Sequence, residues 1–230
     1  MNSPILTPRL TAAASFVRKD SVTADVGTDH AYLPIALVLG GISKFAVASD
    51  INEGPYLRAL SNIRAHSLSS KITALCTPGL DGIEKYSPTD ILICGMGGEL
   101  IASIISEAPW IRNEKIRLVL QPMTHPEILR KYLLDNGFSI IDEKIATEEK
   151  IYQIICAEYT GVTEEYSELE LIFGKININR GGELVCELIS KRIEILKRIA
   201  EAKSRSKKTD AANEEEKLIA LMEELKNDCK

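Results

Sequence analysis

The sequence predicts an α/β domain, doubly wound around a largely parallel sheet that admits one antiparallel strand, followed by an α-helical, coiled-coil-like hairpin. Three observations carry the prediction. Five short apolar runs alternate with segments of helical periodicity between about residues 22 and 136. Two further strand-like runs, near 138–145 and 150–158, are too close in sequence for a helical crossover and read as a hairpin. From about Gly161 the strand texture stops and apolar stripes at helical spacing take over, which divides the chain into 1–160 and 161–230.

Taken in order, Leu6 to Val17 reads as a short amphipathic helix. Strand one covers about 22–27, and its helix (Leu33, Ala36, Leu37, Leu39) stops at Gly40-Gly41. Strand two is Phe45 to Asp50, followed by a helix from about Gly54 to His66 with Leu57, Leu60 and Ile63 on one face. Strand three, Ile72 to Thr77, leads into the loop Pro78-Gly79-Leu80-Asp81-Gly82. Strand four is Asp90 to Cys94, then the turn Gly95-Met96-Gly97-Gly98 and a helix over 99–107. Strand five, Ile116 to Leu120, ends at Gln121-Pro122, and a helix from Pro126 to Asn136 is closed by Gly137. Beyond it, Ser167-Glu168-Leu169-Glu170 fits a capping box. Leu184, Leu188, Ile189, Ile193, Leu196 and Ala200 form one stripe, and Leu218, Leu221, Met222 and Leu225 a second. The polar stretch 203–215 between them reads as a solvated helix end or loop.

Bulk properties narrow the function classes. The chain has 230 residues, 45% hydrophobic and 27% charged, enough for one full domain and a smaller appendage. No run approaches the ~18 apolar residues of a membrane span, and the N-terminus has no signal-peptide pattern. The five cysteines are scattered without C-x-x-C spacing and the three histidines join no ligand cluster. A reduced, cytoplasmic protein without membrane or metal partners is therefore expected, with its oligomeric state left open. The net charge of −5 argues against a protein that is basic throughout, and leaves room for a local basic patch such as Lys191, Arg192, Lys197, Arg198, Lys203, Arg205, Lys207 and Lys208. Glu187, Glu194 and Glu201 interrupt that run at helical spacing, so a solvated, ion-paired face is the alternative to contact with RNA phosphates.

The chemistry concentrates at the ends of the strands. In Asp25-Val26-Gly27-Thr28-Asp29-His30 a buried strand stops, turns on a glycine and starts a helix, the form of a nucleotide-binding βα unit. Asp50, followed by Ile51, ends strand two 23 residues after Gly27, near the ~20-residue offset at which an acid meets ribose hydroxyls. The first turn lacks a three-glycine pyrophosphate cradle and sets Asp29 where a phosphate would be repelled. A nucleoside cofactor without phosphates, S-adenosylmethionine, thus fits better than NAD, and Asp25 or Asp29 suits its ammonium or sulfonium charge. Cys94, Gly95 and Met96 belong to the same cofactor crevice. Gly97 and Gly98 bring backbone close to the reacting centre, and Gln121 and Pro122 are candidate pocket walls.

Five βα repeats closed by a β-hairpin match the sheet of class I, Rossmann-like methyltransferases, whereas a dinucleotide dehydrogenase would carry a second mononucleotide-binding half. In such sheets an acid after strand three, here Asp81 with Gly82, often binds the adenine amino group. The segments "ADVGTDHAYLP", "DILICGMGGELI", "LVLQPM" and "KIYQIICAE", in that order, resemble the bacterial tRNA (adenine-22-N1)-methyltransferase family, the TrmK-like proteins, over residues 5–160. The resemblance implies a class I methyltransferase domain, S-adenosylmethionine as donor, tRNA as substrate and a C-terminal coiled-coil helical domain. Where relatives carry a proline- and leucine-rich lead-in after F-G-P, this chain has Phe173-Gly174-Lys175-Ile176-Asn177-Ile178-Asn179-Arg180, so tRNA contacts there are not carried over.

The expected reaction is in-line attack of adenine N1 on the donor methyl. That nitrogen has an in-plane lone pair, needs no base, and must be unpaired or flipped to reach the pocket. No Asn-Pro-Pro-aromatic signature is present, and the Cys94–Gly98 turn stands in its place. Asp29 and His30 are the catalytic candidates, as electrostatic aids, against the alternative that they only shape the cofactor pocket. Arg9 is a candidate for the substrate phosphate or the cofactor carboxylate, against an ordinary surface arginine. Methyl transfer to a small molecule or protein, a non-catalytic RNA-binding role and an NAD oxidoreductase are the competing readings.

Overall fold

The structure, a computed structural model, describes residues 3–205 and 209–228. It divides into two compact units, Met1–Glu165 and Tyr166–Lys230. The first runs α1 (Pro8–Ala14), β1 (Ser21–Val26), α2 (Tyr32–Leu39), β2 (Ser43–Asp50), α3 (Glu53–Ala65), β3 (Ile72–Cys76), β4 (Asp90–Met96), α4 (Gly98–Ser106), β5 (Arg117–Pro122), α5 (Pro126–Asp135), β6 (Phe138–Thr147) and β7 (Ile151–Tyr159). The second holds α6 (Glu168–Phe173), α7 (Lys175–Arg180), α8 (Glu183–Arg205) and α9 (Thr209–Asp228).

The seven strands lie in the order β3-β2-β1-β4-β5-β7-β6. All neighbours are parallel except β7, which runs antiparallel to both β5 and β6. The expected single antiparallel strand is therefore β7, inserted between β5 and β6. The winding reverses between β1 and β4, and a crevice opens beyond the carboxyl ends of strands at such a reversal.

The central strands are buried along nearly their whole length because helices cover both faces of the sheet. One core layer gathers Ala13, Phe16, Leu33, Leu37, Leu92, Val119 and Ile154; the other gathers Ala31, Ile35, Val38, Ala46, Ala59, Ile63 and Ile72. Helix α2 gives side chains to both layers, which accounts for a sequence apolar on every side. At the amino ends of the strands, the buried Asp90 accepts hydrogen bonds from Arg18 N (3.1 Å), Arg18 Nε (3.2 Å) and Thr89 Oγ1 (2.8 Å). Arg18 also donates to the Thr89 carbonyl. Arg130 and Glu143, both fully buried, pair at 2.7 Å, and Arg130 Nη2 donates to Gln153 (2.7 Å), pinning α5 to the β6–β7 hairpin.

Several boundaries differ from the expectation. The first helix is shorter than Leu6–Val17, since Thr7 is the N-cap and Pro8 starts it. Strand four does not stop at Cys94; it continues through Gly95 to Met96, with a bulge where Cys94 pairs Gln121 and Met96 pairs Pro122. The segment Phe173–Arg180 turns on Gly174 (φ 89°) from α6 into the short α7, where buried Asn177 donates from Nδ2 to the Phe173 carbonyl (3.0 Å). The capping box at Ser167 and Glu170 is formed.

Helices α8 and α9 pack on each other. In α8 the buried stripe is Val185, Ile189, Ile193 and Leu196, with Leu184 exposed; in α9 Ile219 and Met222 are buried and Leu221 is exposed. Leu221 sits one position from Met222, about 100° around the helix, and so off the packed stripe. Lys191 pairs Glu187 (2.8 Å) and Lys197 pairs Glu223 (2.7 Å), so part of the basic run is neutralised along the helices themselves. The stretch read as a polar tip is helical through Arg205 and again from Thr209; Lys207, Lys208 and Cys229 lie outside the described residues.

Candidate active site

The first turn is built from backbone. Gly27 (φ 79°) lets the chain leave β1 sharply, and the N–H groups of Gly27 and Thr28 both donate to the Ser49 carbonyl on β2 (2.8 and 2.9 Å). The Ala31 N–H donates to Thr28 Oγ1 (3.2 Å), and Ala31, in the left-handed region (φ 55°) and fully buried, opens α2. Beside this turn lies a cleft of about 390 Å³ at the β1/β4 reversal. It brings together Arg9, Asp25, Gly27, Asp29, His30, Cys94 and Gly95 among the expected residues, and adds Thr7, Leu10, Thr28 and Tyr32.

Asp25 forms the charged floor. It is 7% exposed, and burial raises its carboxyl to about 6, a rise moderated by a hydrogen bond from Thr28 and reinforced by Asp50. Burial likewise pushes the Cys94 thiol far up, with the Asp25 charge adding to the effect, so Cys94 is a wall and not a thiolate. Asp29 stands differently from the expectation. Arg58 on α3 donates to it from Nε (2.9 Å) and Nη2, and His30 Nε2 lies 3.2 Å away. Its charge is balanced within the protein, so repulsion by Asp29 does not exclude a phosphate; the topology excludes a dinucleotide fold instead. The His30 and Tyr32 rings stack at 5.0 Å and leave a partly exposed aromatic ledge on the rim.

The β4 exit forms the opposite wall. Gly95 (φ 82°) sits in the bulge and its N–H donates to Gln121 Oε1 (3.1 Å), which also accepts from Arg9 Nη1 (2.9 Å). Gln121 is fully buried and donates from Nε2 to the Pro122 carbonyl (2.9 Å). Met96 folds over Gly27, its Cε 2.1 Å from where a Cβ there would stand. Gly98 is set by packing: a Cβ would lie 2.3 Å from the His125 carbonyl oxygen, and His125 (φ 51°) is itself strained at the start of α5. Gly97 abuts Thr124 in the same way, less tightly.

Other expected residues stand apart. Asp50 Oδ1 accepts from Asn52 N (2.8 Å) and Nδ2 (3.2 Å), at the end of the strand next to the first turn, and Ile51 is 64% exposed. Asp81 and Gly82 line a separate cleft of about 330 Å³ with Glu84, Lys85, Glu107 and Trp110. Pro122 is buried behind the β4 exit. Three contributors escaped the sequence reading: Arg58, which claims Asp29; Glu148, which holds Arg9; and Tyr32, which stacks on His30. The motif G-T-D-H-A-Y-L-P already contained Tyr32, but Arg58 and Glu148 had no signal. Among the described residues no group of His, Cys, Asp or Glu has a metal-binding arrangement, and no helix is long and apolar enough to cross a membrane.

Comparison with known proteins identifies the family. The profile of the family described as TrmK, tRNA (adenine(22)-N(1))-methyltransferase, matches residues 23–226. The tRNA (adenine(22)-N(1))-methyltransferase of Bacillus subtilis (strain 168) is 36% identical over 177 residues, covering 76% of this chain and 74% of that protein. A Streptococcus pneumoniae structure in complex with S-adenosyl-L-methionine is 33% identical, with a TM-score of 0.86 and coverage of 96% of this chain and 99% of that one. The structure of M. capricolum TrmK with S-adenosyl-homocysteine is 26% identical, with a TM-score of 0.82 and coverage of 99% and 100%. The chain thus belongs to the TrmK family of tRNA (adenine(22)-N(1))-methyltransferases.

Proposed function

We propose that the chain methylates N1 of an adenine in tRNA, position 22 by its family, using S-adenosylmethionine bound in the cleft between the ends of β1 and β4. The observation that carries the site assignment is Asp25, a buried carboxylate on the cleft floor held by a hydrogen bond from Thr28, which suits the donor ammonium. Arg9, which lines the cleft, suits the donor carboxylate. Asp50 ends the strand next to the first turn, the position suited to ribose hydroxyls, and Gly27, covered by Met96, shapes the turn that frames the cleft. Asp81 and Gly82 reach the adenine only if the donor extends toward the second cleft.

The donor supplies an electrophilic methyl group. The protein's part is to exclude water, align the acceptor and bear the positive charge that moves onto the ring. At the β4 exit Gly95 presents backbone to the cleft, while Gly97 and Gly98 pack against Thr124 and His125 and set the course of the chain behind it. The His30–Tyr32 ledge offers a stacking surface to a base drawn out of its helix. Asp29, paired with Arg58, acts as a brace for His30 and not as a base. A tRNA substrate fits a cytoplasmic protein whose thiols stay reduced.

The test is incubation of the purified chain with unmodified tRNA and methyl-labelled donor, followed by mass spectrometry of the nucleosides. Label in 1-methyladenosine is the expected result. Label in another nucleoside, or transfer to a metabolite or protein but not to tRNA, overturns the reading.

A further inference from the structure

The tip of the β6–β7 hairpin reaches back to the opposite end of the chain. Glu148, in the turn between Thr147 and Ile151, accepts a hydrogen bond from the backbone N–H of Arg9 at Oε1 (2.7 Å), and its Oε2 lies 3.6 Å from Arg9 Nε. The contact is sheltered, the two side chains being 17% and 24% exposed. The Arg9 guanidinium lies over the buried Tyr152 ring, 5.8 Å from its centroid, and donates through Nη1 to Gln121 Oε1, which also holds the Gly95 N–H. One carboxylate thus fixes both the backbone and the Nε edge of Arg9, and Arg9 in turn braces the bulge of β4. The neighbouring Glu149 is exposed and shares none of these contacts.

A guanidinium has five N–H groups. In Arg9 the Nε edge faces Glu148 and one Nη1 hydrogen faces Gln121, leaving the Nη2 edge on a side chain that lines the cleft. The cleft holds two other carboxylates, Asp25 and Asp29, and Asp29 is already paired with Arg58; an arginine released from Glu148 would therefore be drawn to Asp25 and cancel the group that suits the donor ammonium.

We propose that Glu148 is a positioning residue of the donor site, acting through Arg9 to hold a preset guanidinium for the donor carboxylate and to keep it off Asp25. This rests on the donor assignment above. It makes the closing hairpin, far from the nucleotide-binding strands in sequence, a working part of the site.

The test uses the full chain with tRNA and S-adenosylmethionine, comparing E148Q, E148A, R9A, the double variant and E149A as control. E148A is expected to raise the donor KM about ten- to thirty-fold with the tRNA KM unchanged, the scale of a lost charge-assisted contact. E148Q, which keeps an acceptor for the Arg9 N–H, is expected to retain part of the affinity, and E149A to match the parent. In the R9A background E148A is expected to add less than two-fold, because its effect passes through Arg9. An unchanged donor KM, full additivity in the double variant, or a rise confined to the tRNA KM overturns the proposal; if E148A does not fold, E148Q and its double variant with R9A carry the same test. Failure of the parent chain to bind S-adenosylmethionine in calorimetry would instead sink the donor assignment.

Discussion

Asp25 and Asp90 are buried carboxylates on neighbouring strands, Asp25 near the carboxyl end of β1 and Asp90 at the amino end of β4, where it pairs with Thr23. Asp90 is wrapped: Arg18 meets it through backbone and guanidinium, and Thr89 adds a hydroxyl. Asp25 has a hydrogen bond from Thr28 and a cleft in front of it, and its carboxyl rises to about 6. The same residue type at similar burial therefore serves two ends. One completes an ion pair within the fold and locks the chain; the other faces a cleft, which is the arrangement the proposed donor site calls for. A buried carboxylate held mainly by a hydroxyl is costly, and its position at the strand terminus that faces the cleft is what the proposed donor site would use.

The comparison is broken or sharpened by four measurements. The largest effect is expected from Asp25→Asn, which should weaken S-adenosylmethionine binding about a hundredfold or more in calorimetry, as loss of a close charge pair in a protein environment implies. Arg18→Ala should leave Asp90 unpaired and lower the unfolding free energy by about 2–3 kcal/mol, at the modest end for a buried pair because Arg18 is a third exposed. Donor affinity per folded molecule should not change; if it does, the two ends are not separate.

The third measurement concerns pH. The folded state keeps the Asp25 proton up to about 6, while the unfolded chain releases it near 3.8. Between those values the folded state binds more protons, so stability contributed by this group falls as pH rises and is lost above about 6, by roughly 2–3 kcal/mol. Denaturation curves of the ligand-free protein from pH 4 to 7 should show that decline and Asp25→Asn should flatten it; a slope of the opposite sign in the difference would refute the account. The smallest effect is expected from Gly98→Ala: the added methyl meets the His125 carbonyl and displaces the β5–α5 turn, costing about 1–3 kcal/mol and several-fold in kcat, with donor affinity near parental.

The strands were legible in the sequence because β1, β4 and β5 are buried on both faces and carry short apolar or β-branched stretches, such as residues 91–93 and 118–120, instead of strict alternation. The cleft was legible wherever its members are local, as Asp25, Gly27, Asp29 and His30 are in one turn. It was illegible wherever partners meet over long separations: Arg58 is 29 residues from Asp29, and Glu148 is 139 from Arg9. Asp29 shows the consequence: its charge is local and legible, while its pairing with Arg58 is not. The bulge at Gly95 was missed because glycines signal a turn and a kinked strand alike. In α9, Leu221 and Ile219 are equally apolar, and only packing against α8 decides which one is covered.

Helix α2 is shared by both layers of the core and begins at the cleft with Ala31. Its amides should be among the slowest to exchange with deuterated solvent, because no partial opening frees it from one layer without tearing the other. The back wall of the cleft is accordingly rigid, and compounds designed against the site will find no hidden room behind α2. They must compete at the open mouth, beside the His30–Tyr32 ledge.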